Sequence, residues 1–237
     1  MKNSFLILLC SFVLFSCKEK STKDDSTQEE WTVLFDGSSL EHWKGYLTDE
    51  VSPQWKIEDN AMVFYPLADK SIWSKHNIVT KKNYTSFVLS LEWKISEGGN
   101  SGIFFGVQED PNYTYPYETG LEIQVLDNER HADAKAGLNH QAGALYDLVE
   151  PVKDVTKPAG EWNTCVITVN HKTNQGNAVL NGVKVVEFPV SPASIEEMEK
   201  NSVYHDWKGH ANIANGKIGL QDHGDKVYYR NIKIREL

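Results

Sequence analysis

The sequence predicts an all-β fold, a sandwich of two antiparallel sheets with a single short helix. Three observations carry that expectation. Short runs of alternating apolar and polar residues recur along the chain, separated by turns rich in Gly, Asn and Asp. Only one stretch has the punctuation of a helix. Aromatic residues make up 11% of the 237, with seven Trp and ten Tyr, a composition that suits sheets packed face to face and sites where flat rings meet sugars. Ordinary sheet packing accounts for most of those rings.

The first residues stand outside this pattern. Lys2 gives a positive start, residues 5–15 are apolar but too short to cross a bilayer, and the run ends in Leu14-Phe15-Ser16-Cys17. That is the form of a bacterial lipobox, with Cys17 as the lipidated residue and residues 1–17 as a lipoprotein signal peptide. Residues 18–30 hold no apolar side chain and read as a disordered tether, able to span roughly 40 Å. Lys18, where an Asp would retain the protein at the inner membrane, favours the outer membrane. The expected localisation is therefore an exported lipoprotein, touching membrane only through its lipid.

From Trp31 the strands follow in order. Residues 31–35 end in Asp36-Gly37, and residues 54–58 and 61–65 form a hairpin over Asp59-Asn60. In residues 87–95, Phe87, Leu89, Leu91, Trp93 and Ile95 face inward. A Gly98-Gly99-Asn100-Ser101-Gly102 turn leads into 103–107. Residues 120–127 put Leu121, Ile123 and Val125 on one face and Glu122 and Gln124 on the other. Strands at 162–169, 178–180 and 183–188 follow, the last two joined by Asn181-Gly182. Ser194 to Glu197 carries a capping-box pattern that starts a short helix toward Lys200. Residues 217–221 and 227–235 close the domain, 31–237. Segments 128–143 and 187–215 lack strand patterning, and loops of that length in a compact domain are usually functional.

The totals narrow the function. With 33 acidic and 24 basic residues the net charge is −9, which disfavours nucleic acid and anionic membrane as partners. Of three cysteines, Cys10 leaves with the signal and Cys17 carries lipid. Cys165 then has no partner for a disulfide, and it alternates into the apolar face of its strand as an inert thiol. No phosphate loop, zinc-finger spacing, nucleophile elbow or dinucleotide fingerprint is present. What remains is a pair of polar faces, Glu122 with Gln124 and Gln221 with His223, expected to converge on a sugar-sized cleft.

Eight ordered pieces then resemble one family. They are Leu-Phe-Asp-Gly-Ser-Ser-Leu-Glu-His-Trp (34–43), Asn-Ser-Gly-Ile (100–103), Glu-Ile-Gln-Val-Leu-Asp (122–127) and Gly-Ala-Leu-Tyr-Asp (143–147). Gly-Glu-Trp-Asn (160–163), Leu-Asn-Gly (180–182), Ile-Gly-Leu-Gln-Asp-His-Gly (218–224) and Arg-Asn-Ile-Lys-Ile-Arg (230–235) complete the set. Together they resemble the 3-keto-disaccharide hydrolase domain family, which implies a concanavalin-like jelly roll and a carbohydrate substrate. The chemistry so implied is cleavage of glycosides oxidised at C3. A base takes the C2 proton, an electrophile holds the enolate, an acid assists the leaving group, and water adds back.

Under that resemblance Glu122 is the candidate base or metal ligand, and His223 the leading histidine, with Tyr146 and Asp147 as further catalytic candidates. Gln124, Gln221, Asn100, Arg230 and Asp127 are candidates for binding substrate, although Asn100 and Ser101 also suit the turn they occupy. Arg230 shares its parity with Ile232 and Ile234, so either a bulge separates them or Arg230 is a buried partner of an acid such as Asp127. Glu122, His140 and His223 offer the donor types of a divalent metal, without close spacing. His205 and His210 are left with the loop histidines, and Trp162 is expected in the core. A non-catalytic carbohydrate-binding module and a conventional glycosidase are the competing readings. The second needs a carboxylate partner near Glu122, and the Glu122 strand carries an amide there instead.

Overall fold

The structure, a computed structural model, describes residues 30–69 and 74–237; the signal peptide with Cys17, and all of the tether but Glu30, lie outside them. Thirteen strands are formed: β1 Thr32–Phe35, β2 Trp43–Gly45, β3 Trp55–Glu58, β4 Ala61–Phe64, β5 Ile78–Thr80, β6 Phe87–Ile95, β7 Asn100–Val107, β8 Leu121–Leu126, β9 Asn163–Asn170, β10 Gln175–Leu180, β11 Val183–Phe188, β12 Lys217–Leu220 and β13 Val227–Glu236. One sheet has the order β11-β10-β9-β6-β13-β4-β3, with β1 also paired to β13. The other has the order β2-β5-β12-β7-β8. The fold is the predicted sandwich of two antiparallel sheets.

Alternation decides which side chains meet between the layers. In β6 the odd positions Phe87 to Ile95 are buried and the even ones half-buried, and their opposite numbers are Ile103, Phe105, Leu121, Ile123 and Val125 of the smaller sheet. The predicted hairpin holds, with Asp59 and Asn60 both at positive φ, 50° and 59°, the backbone a two-residue turn needs. Cys165 is buried in β9, and burial pushes its thiol up to about 12, consistent with an inert role.

Several expectations shift. β7 begins at Asn100, so Asn100 and Ser101 belong to a strand rather than a turn. The helix, α1, spans Pro192–Glu199 with Ser191 at its cap and Pro at its first turn. Pro192 is favoured at that position, which starts the helix before the Ser194 pattern. Trp162 is not in the core. It sits half-buried on the outer face of the larger sheet, with the Arg230 guanidinium 4.0 Å from its ring centre. β2 and β5, three residues each, were too short to carry an alternation.

The smaller sheet is buried on both faces. Its β8 strand is buried at every position, including the two polar ones, because two loops lie across its outer side. Segment 143–149 lines up along β8, with Gly143 N donating to Gln124 O at 2.9 Å and Tyr146 N to Glu122 O at 2.9 Å. The second cover comes from residues 200–213, after α1.

Candidate active site

A cavity of about 260 Å³ opens over the outer face of the smaller sheet. Its floor is Asn100 from β7, Glu122 and Gln124 from β8, and Gln221 and His223 from the segment after β12. Its walls are Tyr146 from the 143–149 segment, Tyr117, and Val203, Tyr204 and Trp207 from the loop after α1. The two polar faces expected to converge do so, and six predicted site residues share this one space.

Register explains why these residues meet. β12 pairs with β7, placing Leu220 opposite Ile103, and Gln221 N donates to Gly102 O at 2.9 Å. On the other side Gly102 lies opposite Gln124 and Phe104 opposite Glu122. The Glu122 side chain folds over Gly102, where any Cβ would collide with its carboxyl group. Below the floor, Ser101 Oγ donates to Gln221 O at 2.8 Å and lies 2.8 Å from the Tyr229 hydroxyl of β13.

The electrostatics are set by burial. Glu122 is only 7% exposed, and loss of water, with the Asp133 carboxylate adding to it, pushes its carboxyl up to about 8. His223 moves the other way: burial and the neighbouring His131 hold it below its usual value, against an opposing pull from Asp225. The Tyr146 phenol is raised by burial and then by Asp133 and Glu122. At neutral pH the cavity therefore holds mostly uncharged groups. Among the described residues, two acceptors in it, Asn100 Oδ1 and Gln221 Oε1, are buried with no hydrogen-bond partner. Such groups are costly unless something that enters the cavity satisfies them.

Other predicted residues lie elsewhere. Asp127 is buried beneath the β6–β7 turn, accepting from Gly98 N at 2.7 Å and Glu129 N at 3.1 Å, and its cation is Arg130 at 3.4 Å. Arg230 is on the larger sheet, 2.7 Å from Glu92. The bulge foreseen as one alternative is present, with the register shifting after Arg230 and Asn231 at φ 53°, and it turns Arg230 outward. His140 and Asp147 stand behind the wall. His140 Nδ1 is 2.8 Å from Asp133 and Nε2 3.1 Å from Asp147, while Asp147 also accepts from Val203 N at 2.7 Å. Among the described residues no group of three or more His, Cys, Asp or Glu side chains is placed to hold a metal ion. The set of Glu122, His140 and His223 does not fit one.

Sequence reasoning missed Asp133, Tyr117, Tyr204, Trp207 and His210. Asp133 accepts from the Tyr146 hydroxyl at 3.1 Å. His210 is fully buried, 2.5 Å from Glu199 and 2.8 Å from the Tyr117 carbonyl, not a surface loop residue. The available signal was the length of the two unpatterned segments, which hold four of these five.

Comparison with known proteins gives the family and the fold. The 3-keto-α-glucoside-1,2-lyase-like domain family matches residues 30–235. A 3-keto-disaccharide hydrolase of Bacteroides thetaiotaomicron is 33% identical over 250 residues, 95% of this chain and 86% of the relative. Among solved structures, a glycosyl hydrolase candidate of Parabacteroides distasonis superposes with a TM-score of 0.79 at 32% identity, covering 88% of this chain and 95% of that one. A family-16 endo-β-1,3(4)-glucanase, at a TM-score of 0.51 and 11% identity over 88% and 95% of the two chains, shares the jelly-roll fold alone. With a family match that runs from the first described residue almost to the last, the chain belongs to the 3-keto-α-glucoside-1,2-lyase-like domain family, whose members are enzymes acting on 3-keto-glucosides.

Proposed function

We propose that the protein cleaves 3-keto-glycosides by elimination across C1 and C2, followed by addition of water, with Glu122 as the base. The observation that carries this reading is the pairing in one cavity of a buried carboxyl near pKa 8 with two unpartnered amide acceptors. A C3 ketone makes the C2 proton acidic, and a base titrating near the working pH is well matched to remove it. The acceptors Asn100 Oδ1 and Gln221 Oε1 suit sugar hydroxyls, which are donors. Proton transfer from C2 to Glu122 leaves the electron pair in an enolate, with the charge on the C3 oxygen. His223, held neutral by burial, is the N–H donor for that oxygen. Collapse of the enolate breaks the bond from C1 to the leaving oxygen, and the Tyr146 phenol is the proton donor for it. Water adding at C1, with a proton returned to C2, gives the free 3-keto sugar. Release before that step gives a lyase product. No step is routed through a metal.

The test is incubation in deuterated water with a 3-keto-glucoside and its unoxidised parent, with and without chelator. Cleavage of the oxidised sugar alone, with deuterium at C2 of the product, is expected, and Glu122→Gln should lower kcat at least about 1,000-fold. For the parent enzyme kcat/KM should rise with pH and level off above about pH 8. Cleavage of the unoxidised parent, or protium kept at C2, would replace this mechanism with conventional glycosidase chemistry. Binding without turnover would leave a binding module.

We also infer, from the lipobox at residues 14–17, that the protein is exported and lipidated at Cys17, in the outer membrane. Labelled palmitate should enter the native protein and not Cys17→Ser; equal labelling of both would refute it.

A further inference from the structure

The outer face of the larger sheet, on the side of the sandwich away from the cavity, carries a basic ridge although the chain as a whole is acidic. Strand register puts it there. Tyr229 is buried in the core, so its neighbour Tyr228 points out, opposite Val63 of β4 and Lys94 of β6. Lys56 of β3 follows beyond Val63. Past the bulge in β13, Ile232 and Ile234 are buried and Lys233 is exposed between them.

Aromatic rings sit among these cations. Lys94 Nζ lies 5.0 Å from the ring centre of Trp162 and 4.1 Å from that of Tyr228. Lys226 Nζ lies 5.1 Å from Tyr228 and 4.0 Å from Tyr65, and Lys56 Nζ 4.8 Å from Tyr65. Lys233 Nζ lies 4.8 Å from Trp31. Arg230 has its charge met by Glu92, but among the described residues none of these four lysines forms an ion pair. A ring attracts a cation without neutralising it, so the ridge keeps its charge. In a chain with 33 acidic and 24 basic residues, lysines set side by side without acids complement an anion from outside.

The entry of the chain into the domain indicates which anion. Trp31, the ring beneath Lys233, begins the domain, and residues 18–30 connect it to Cys17. Lysines together with Trp and Tyr rings are what a membrane–water interface favours. We propose that this face docks on anionic phospholipid headgroups, its lysines meeting the phosphates, so that the cavity on the opposite side opens away from the bilayer. The choice of a membrane as partner rests on the lipobox reading above; the ridge itself does not.

The experiment takes the chain from residue 17 onward with Cys17→Ser, which cannot be acylated there, and measures its partition onto vesicles of phosphatidylcholine alone or with about 30% phosphatidylglycerol. Binding to the anionic vesicles alone is expected, weakening at least about tenfold between roughly 0.05 M and 0.5 M salt. Lys56→Gln and Lys233→Gln, both at exposed positions, should each weaken it about fivefold. Lys135→Gln, exposed on the segment over the smaller sheet, should leave it unchanged, and thermal unfolding at the wild-type temperature shows that each variant is folded. No binding to anionic vesicles, equal binding to neutral ones, or an equal loss in Lys135→Gln overturns the proposal. Binding to polygalacturonate and not to anionic vesicles overturns it too, and gives the face to an acidic polysaccharide. Palmitate labelling decides the anchor separately: lysine-dependent vesicle binding without labelling supports the docking face and strikes the anchor, and labelling without such binding strikes the face alone.

Discussion

A carboxyl group that has lost its water beside a second carboxylate resists ionisation, and at Glu122 this has a consequence for the fold as well as for the chemistry. Its value near 8 in the folded chain stands against 4.5 for a free side chain. Because the folded value is raised, the stability that Glu122 supplies below pH 4.5 is lost as pH climbs toward 8. Full loss corresponds to a few kcal/mol, at most about 5. Glu122→Gln removes the titration, so urea unfolding should show the variant more stable than the wild type by about 2–4 kcal/mol at pH 8.5, with the gap closing toward pH 4.5. A gap independent of pH would mean that Glu122 is solvated. The parity of β8 made Glu122 and Gln124 legible, since a charged residue and an amide alternating with Leu121, Ile123 and Val125 must leave the core. What parity could not show is that this second face is also covered. Asp133, which adds to the Glu122 shift, sits in a segment with no periodicity to read.

At the scale of elements, strands bounded by strong turns were legible nearly to the residue, as β6 and the β3–β4 hairpin show. Contacts between distant loops were not. Asp147 illustrates the difference: its place after Tyr146 marked it as a catalytic candidate, yet it is a clasp. It sits at φ 56°, accepts from the Asn139 side-chain amide, lies 3.1 Å from His140 Nε2, and holds the N–H of Val203 on the opposite wall. Cutting that link should loosen the loop after α1 rather than stop the chemistry. Asp147→Ala is expected to cost about 1–3 kcal/mol of stability and to raise KM roughly tenfold, with a smaller change in kcat. A collapse of kcat with KM unchanged would return Asp147 to the reacting groups. Arg230 teaches the same lesson from the other side. Its parity conflict left a bulge and a buried ion pair with an acid such as Asp127 both open, and only the assembled sheet shows the bulge, which turns it toward Glu92 and away from the cavity.

For the molecule as a whole, the two sheets are held together mainly by apolar packing, and a polar tie crosses between them under the site. The Tyr229 hydroxyl of the larger sheet reaches Ser101 Oγ at 2.8 Å and the Gly102 carbonyl at 3.3 Å in the smaller one. Ser101 in turn holds Gln221, and Gly102 makes room for Glu122. Tyr229→Phe leaves Ser101 short of a partner in a dry interior and should cost about 1–2 kcal/mol, measured by thermal or urea unfolding. Activity should fall with it, because the floor of the cavity is what the tie supports; an unchanged kcat would show that the floor is fixed by strand pairing alone.

Cys165 offers something of a different kind. It lies inside the larger sheet, between Leu91 of one neighbouring strand and Leu180 of the other, and the remaining two cysteines of the sequence fall before residue 18. A chain beginning at the domain would carry one sulfhydryl, reachable by a modifying reagent only when the sandwich comes apart. Its labelling rate is then a built-in clock for opening of the whole molecule, blind to the breathing of the loops above the cavity.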